Sequence, residues 1–347
     1  MVPVKIEDLI RKNIKELIPY SSARDEYSGN DAVLMDANEN PFNAPFNRYP
    51  DPLQREVKQK ISRILNVNSN TIFLGNGSDE AIDLLIRAFC TPGTDNIIIT
   101  DPTYGMYEVC ARINDIEVKK TLLNPDFSLN SENVLKSTDV NSKIIFLCSP
   151  NNPTSNLLDQ SQVLKIIETF KGLVVMDEAY IDFSGSRGLL DFIGKYPHLI
   201  VLRTFSKAWG LAGIRLGMAF ASAEIISVLN KIKYPYNVNA LTQKAALQSL
   251  DKIEMKKKWV RSVIKERVRM ESQLSELGMT VYHSDANFLL VKFTDAGKLF
   301  EYLKDHKIIV RDRSKVSLCK DCLRITVGNR SENRKLLKYI RKYVQSD

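Results

Sequence analysis

Between Gly75 and Phe220 the chain alternates short apolar runs with longer amphipathic ones, and few folds accept that rhythm. NIIIT (Asn96 to Thr100), KIIFLC (Lys143 to Cys148), GLVVMD (Gly172 to Asp177), LIVLR (Leu199 to Arg203) and IRLGMAF (Ile214 to Phe220) read as buried strands. Helices fit between them. GSDEAIDLLIRAF places Ile82, Leu85, Ile86 and Phe89 at i, i+3, i+4 and i+7, and Tyr104 to Ile113 and Leu158 to Phe170 are also helical in pattern. A strand apolar on both faces must be covered on both, so the pattern implies an α/β fold with a mostly parallel sheet between helices. Ligands of such folds sit beyond the carboxyl ends of the strands.

The flanks differ in texture. Lys5 to Leu17 predicts one helix, followed by an arm rich in Asn, Pro and Asp that reads as loop. After Tyr234 come a long helical stretch, Asn239 to about Leu277, and strand candidates NFLLV, KIIV and LRITV. Helices are expected at Ala296 to Asp305 and Ser331 to Val344, which makes a smaller α+β region. The expected division is an N-terminal helix and arm over 1–45, a large domain over 46–234 and a small domain over 235–347, in keeping with about two domains for 347 residues.

Composition excludes several classes. No stretch approaches the ~18 consecutive apolar residues of a transmembrane helix. The charged N-terminus lacks the apolar core of a signal peptide. Five cysteines are too few and too odd for a disulfide scaffold, so a reducing cytoplasm is the expectation. His198, His283 and His306 are far apart, and Cys319 and Cys322 form one C-x-x-C without a second pair, so no metal site is expected. The net charge of +8 invites a nucleic-acid reading. Lys256, Lys257, Lys258, Arg261 and Lys265, however, share a segment with the apolar stripe Val260, Val263, Ile264 and Val268. That is an amphipathic helix with a solvated face, so neither nucleic acid nor membrane is expected as a partner.

Chemistry concentrates where strands end. In TFSKAWGLAGIRLG, Lys207 follows a strand and is flanked by Thr204, Ser206 and Arg215. Two hydroxyls and a guanidinium make a phosphate cup, and an amine beside such a cup can condense with the aldehyde of pyridoxal phosphate. Asp177, in MDEAY, stands where a carboxylate could face a ligand, and pyridoxal phosphate needs an anion at its pyridine nitrogen to keep the ring protonated. An apolar strand ending in Asp-Glu also resembles a Walker B segment, but the chain has no GxxxxGK[ST] loop. Asn152, in SPNNPTSN, is either a donor to the ring's phenolic oxygen or part of a plain Asn-Pro turn. GNGSDE offers Ser78 and Asp79 at a helix start that favours an anion, or is a simple cap. Tyr104, in PTYGMY, either stacks on a flat ring or packs in the core.

Taken in order, DANENP, RYPDP, GNGSDE, DPTYGMY, SPNNPT, DEAY, TFSKAWGLAGIRLG and LRITVG resemble the fold-type I pyridoxal-phosphate-dependent aminotransferases, and within them most closely the histidinol-phosphate aminotransferase family. The resemblance covers most of the chain. It implies that Lys207 is the Schiff-base lysine and Asp177 the partner of the pyridine nitrogen. It further implies that Asn152 and Tyr180 donate to the phenolic oxygen, that Tyr104 stacks on the ring, and that Ser78, Asp79, Thr204, Ser206 and Arg215 hold the phosphate. Tyr49 would reach the cofactor phosphate of a neighbouring subunit in a homodimer, and Tyr20, Arg311 and Arg324 would contact substrate. The implied reaction is ping-pong transamination of L-histidinol phosphate with 2-oxoglutarate, giving imidazole acetol phosphate and glutamate. Related enzymes acting on aromatic amino acids or threonine phosphate are the alternative. One position departs from the family: Ser155 stands where a glycine usually follows NPT, and it would be strained if φ there is positive.

Overall fold

A computed structural model describes residues 4–20 and 32–346. Seven strands form the main sheet: β1 (Ile72–Asn76), β2 (Asn96–Asp101), β3 (Glu117–Leu122), β4 (Ser142–Cys148), β5 (Leu173–Asp177), β6 (Leu199–Thr204) and β7 (Leu216–Phe220). Their order is β1-β7-β6-β5-β4-β2-β3. β3, β2, β4, β5 and β6 pair in parallel, whereas β7 runs antiparallel to both β6 and β1. The period of two along each strand feeds two cores. Ile98, Ile145, Leu147, Val174, Met176 and Val201 face one helical layer, and Ile97, Ile144, Phe146, Val175, Ile200 and Leu202 face the other.

A second sheet, in the order β10-β11-β9-β8, is built from β8 (Thr280–Val281), β9 (Phe288–Lys292), β10 (Arg311–Asp312) and β11 (Cys322–Thr326). Leu289, Val291, Leu323 and Ile325 pack with Met270, Leu274, Leu336 and Ile340 in a separate core. The two parts are stitched near the turn that follows β4. The Ser155 carbonyl accepts from the Asp285 N–H at 2.8 Å, and the Leu157 N–H donates to the Asp285 carboxylate at 2.8 Å.

Three local expectations change, and two strands are added. The Lys5 to Leu17 helix is two short helices, Ile6–Leu9 and Lys12–Glu16. The break falls where the Arg11 N–H donates to Ala88 O and its guanidinium to Arg87 O, so the end of the Ser78–Phe89 helix captures this backbone. The Asn239 to Leu277 stretch is also two helices, Ala240–Leu250 and Ile253–Glu276. KIIV is not a strand: Lys307 adopts φ 60°, and the Ile308 N–H closes back on Leu303 O, finishing the Ala296–Asp305 helix. β1 and β3 were not anticipated. β3 is an edge strand whose Lys119 and Lys120 hide its periodicity, and such charges are usual on an edge.

Candidate active site

The parallel arrangement brings the carboxyl ends of β1, β2, β4, β5 and β6 to one edge, and the reversal of β7 brings its first residues there too. A cavity of about 170 Å³ opens at this edge. Ser78, Asp79, Tyr104, Asn152, Asp177, Tyr180, Thr204, Ser206, Lys207 and Arg215 line it, with Gly77, Cys148, Ala179 and Ala212. Ten sequence-predicted positions thus meet in one hollow.

Asp177 ends β5 and is buried. Its Oδ2 accepts the Tyr107 hydroxyl at 2.7 Å, and its Oδ1 accepts the Ala179 N–H at 3.0 Å. Burial raises its pKa, and these two donors oppose the rise. Lys207 Nζ lies 5.3 Å from the centre of the Tyr180 ring. Burial, then the charge of Arg324, lowers the Lys207 pKa, while Asp177 and Asp79 pull it back up. An amine of lowered pKa is more readily a free base.

At the other end, Gly77 (φ 76°) precedes the Ser78–Phe89 helix. Gly217 has no room for a side chain, because a Cβ there would stand 2.1 Å from Ser78 N. The close approach lets the Gly77 N–H donate to Arg215 O at 2.8 Å, which fixes the guanidinium beside the helix start. Asp79 accepts the Tyr104 hydroxyl at 3.1 Å and pairs with Arg215 at 3.5 Å, so one carboxylate anchors both. Thr204 Oγ1 accepts the Ser206 N–H at 3.0 Å and shapes the loop before Lys207.

Arg324, on β11, donates to Asn152 Oδ1 at 2.5 Å and stands 5.4 Å from the Phe288 ring. Arg311 faces Arg324 across the β10–β11 ladder and is exposed. Tyr49 and Tyr20 do not reach the cavity. Tyr49 stacks on Tyr236 at 4.5 Å and lines a separate groove with the arm residues Asn38, Glu39 and Phe46. Tyr20 is exposed. Sequence reasoning missed Tyr107, which is fully buried and stacks on Phe146 at 4.8 Å. It lies three residues beyond Tyr104 and reads as an ordinary core aromatic. Ser155 adopts φ 69°, so a left-handed backbone is indeed required there.

Among the described residues no group of three or more His, Cys, Asp or Glu is placed to hold a metal, and Cys319 and Cys322 are buried free thiols. Nor is any helix of these residues long and apolar enough to cross a membrane.

A family model described as aminotransferase class I and II matches residues 26–340. The chain belongs to this family. Among curated relatives, a histidinol-phosphate aminotransferase of Bacteroides fragilis is 56% identical over 341 residues, covering 97% of this chain and 99% of the other. Within the class I and II aminotransferases the chain therefore belongs with the histidinol-phosphate aminotransferases. Among solved structures, the histidinol-phosphate aminotransferase of Clostridium acetobutylicum superposes with a TM-score of 0.81 at 24% identity, over 87% of this chain and 92% of that one. The enzyme of the same name from Sinorhizobium meliloti, solved with pyridoxal-5'-phosphate, gives 0.79 at 21% identity, over 89% and 90%. These two likenesses concern the fold: the doubly covered sheet and the small antiparallel sheet of the C-terminal region are those of this aminotransferase fold.

Proposed function

We propose that this chain is a cytoplasmic, pyridoxal-phosphate-dependent enzyme that moves the amino group of L-histidinol phosphate to 2-oxoglutarate, releasing imidazole acetol phosphate and glutamate. One observation carries the reading. A buried carboxylate, an amine of lowered pKa and a helix-start anion cradle line one cavity, with an arginine hydrogen-bonded to its rim. The residues fit the cofactor: a side chain at Gly77 would press on the Arg215 guanidinium and one at Gly217 on the backbone of Gly77 and Ser78, so both glycines preserve the helix-start cradle, and Asp177 is the anion a protonated ring nitrogen needs.

When bound, pyridoxal phosphate supplies an aldehyde that captures amines and a ring that accepts the electrons of a substrate carbanion. The chain does the rest. Backbone N–H groups of Ser78 and Asp79, the hydroxyls of Thr204 and Ser206 and the guanidinium of Arg215 hold the phosphate. Tyr104 would lie against the ring. Asn152 and Tyr180 would donate to its phenolic oxygen, and Asp177 would hold the proton at the pyridine nitrogen. Lys207, with its lowered pKa, would serve as the base that takes the proton from the substrate α-carbon. Arg324 and Arg311 hold the anionic tail, a phosphate in one half-reaction and a carboxylate in the other, because planar guanidinium forks pair with either. Tyr20 would touch the substrate from the arm.

A homodimer belongs to the same reading, with Tyr49 reaching the partner's cofactor phosphate. Ile18, Val33, Met35 and Phe42 of the arm, with Phe46 beside them, stand exposed, as a surface covered by a second copy would. So does the division into an arm over 1–45, a cofactor-binding domain over 46–234 and a small domain over 235–347.

Steady-state assays with histidinol phosphate, phenylalanine and threonine phosphate test the substrate. Turnover preferring histidinol phosphate is expected, and none with it would sink the proposal. Wild type should show cofactor absorbance that borohydride abolishes, and Lys207→Ala should lack it.

A further inference from the structure

Three arginines, not two, gather at the tail end of the site. Arg311 pairs across the ladder with Arg324, and one residue beyond β10 the Arg313 N–H donates to Cys322 O at 2.9 Å, in the same register. Side chains two apart on a strand share a face, as do cross-strand partners. Arg311, Arg313 and Arg324 therefore present their guanidiniums on one side of the sheet. That side is the cavity's: Arg324 holds Asn152, and Arg324 and Tyr180 both pack against the Phe288 ring. Burial pushes the Tyr180 hydroxyl pKa up, and the charges of Arg324 and Arg313 both oppose it, so Arg313 acts on the same hydroxyl.

Like charges so close repel, and the arrangement lacks the usual remedy. Among the described residues no Asp or Glu is ion-paired with Arg311, Arg313 or Arg324. Arg313 Nε is buried without a hydrogen-bond partner. Buried guanidinium N–H groups need an acceptor, and the protein provides none for this one.

We propose that Arg313 is a third anion ligand of the tail subsite, and that it makes the subsite prefer a dianionic phosphate monoester to a carboxylate. The inference rests on the proposed site, not on which phosphate-bearing amine is the natural substrate. A carboxylate offers one charge and two oxygens, which two forks satisfy. A phosphate monoester offers nearly two charges and three oxygens at neutral pH, which gives a third guanidinium a partner of its own.

The test compares Arg313→Gln and Arg313→Lys with wild type as holoenzymes, whose cofactor phosphate already fills the cup. Single-turnover kinetics with histidinol phosphate and with glutamate separate the two half-reactions. Arg313→Gln is expected to lose about tenfold or more in kcat/KM for the phosphate substrate, mostly through KM, and less than about threefold for glutamate. Arg313→Lys should recover part of the loss. Inorganic phosphate, measured as a competitive inhibitor against glutamate, should bind correspondingly more weakly to Arg313→Gln. Equal losses on both substrates, or no loss on either, would overturn the proposal. If wild type does not turn over histidinol phosphate yet loses phosphate affinity on Arg313→Gln, the functional reading fails and this one stands.

Discussion

Ser155 sits where the backbone is left-handed, at φ 69°, and its side chain is wholly buried. A non-glycine residue in that region costs about 1–2 kcal/mol. Against this, its hydroxyl reaches two carbonyls, Thr154 O at 2.5 Å and His283 O at 3.1 Å. A hydroxyl has one proton to give, so the pair counts as one hydrogen bond, about 1 kcal/mol net. Ser155→Ala removes that bond and keeps the strain, so it should destabilise by about 1 kcal/mol. Ser155→Gly removes the same bond and relieves the strain, but it frees the unfolded chain at a cost of roughly 0.5–1 kcal/mol. The three terms nearly cancel, and the glycine variant should fall within about 0.5 kcal/mol of wild type. Thermal unfolding followed by circular dichroism reads both, with roughly 2 °C expected per kcal/mol for a chain this large. The informative quantity is the gap between the two variants. A glycine variant less stable than the alanine variant would mean that the left-handed backbone carries no strain, and the reasoning would be wrong.

Lys58, in the Arg55–Leu65 helix, is buried, and burial, reinforced by Lys233, lowers its pKa to about 8 from the ordinary 10.5. The folded state gives up this proton more readily than the unfolded chain, so stability rises with pH between those two values and is lost as pH falls through 8. At neutral pH the cost is on the order of 3 kcal/mol. Lys58→Met should therefore be more stable than wild type by about 1–3 kcal/mol near pH 7 in urea unfolding, with the advantage shrinking as pH rises above 8; an advantage independent of pH would refute this. Tyr107→Phe leaves Asp177 Oδ2 without its hydroxyl donor. Hydrogen bonds to charged groups contribute about 1.5–3 kcal/mol, so cofactor affinity in apoenzyme titrations should fall roughly tenfold to a hundredfold. Unchanged affinity would show that the anion needs no such support.

How much of this was legible depends on where the information resides. β2, β4, β5 and β6 were readable because a strand buried on both faces leaves an unbroken apolar run such as Ile97, Ile98 and Ile99 within Asn96–Asp101. The residues after those strands followed, since topology places strand ends at one edge. β3 was hidden, because an edge strand needs no such run. The break at Arg11 is imposed by carbonyls of Arg87 and Ala88, distant in sequence, and no local pattern encodes it. Tyr107 and Arg313 escaped for a related reason. Each belongs to the site through a single tertiary contact or a strand register, not through its neighbours along the chain.

The reversed strand has an evolutionary corollary. Lys207 and Arg215 lie in one loop, Phe205 to Arg215, whose ends are tied by the Phe205 N–H on Leu216 O at 3.0 Å. A parallel β7 would have required a long crossover and would have delivered Arg215 to the far edge of the sheet. The spacing between amine and guanidinium is thus set within one short loop, whose Arg215 end is held further by Gly77 and Asp79. The arginines at the opposite end ride on a different sheet, held to this one by a few contacts such as Arg324 to Asn152. Drift in the C-terminal sheet can retune which molecular tails are admitted while the chemistry-bearing loop is inherited intact, so substrate range and reaction type are separately evolvable in this architecture.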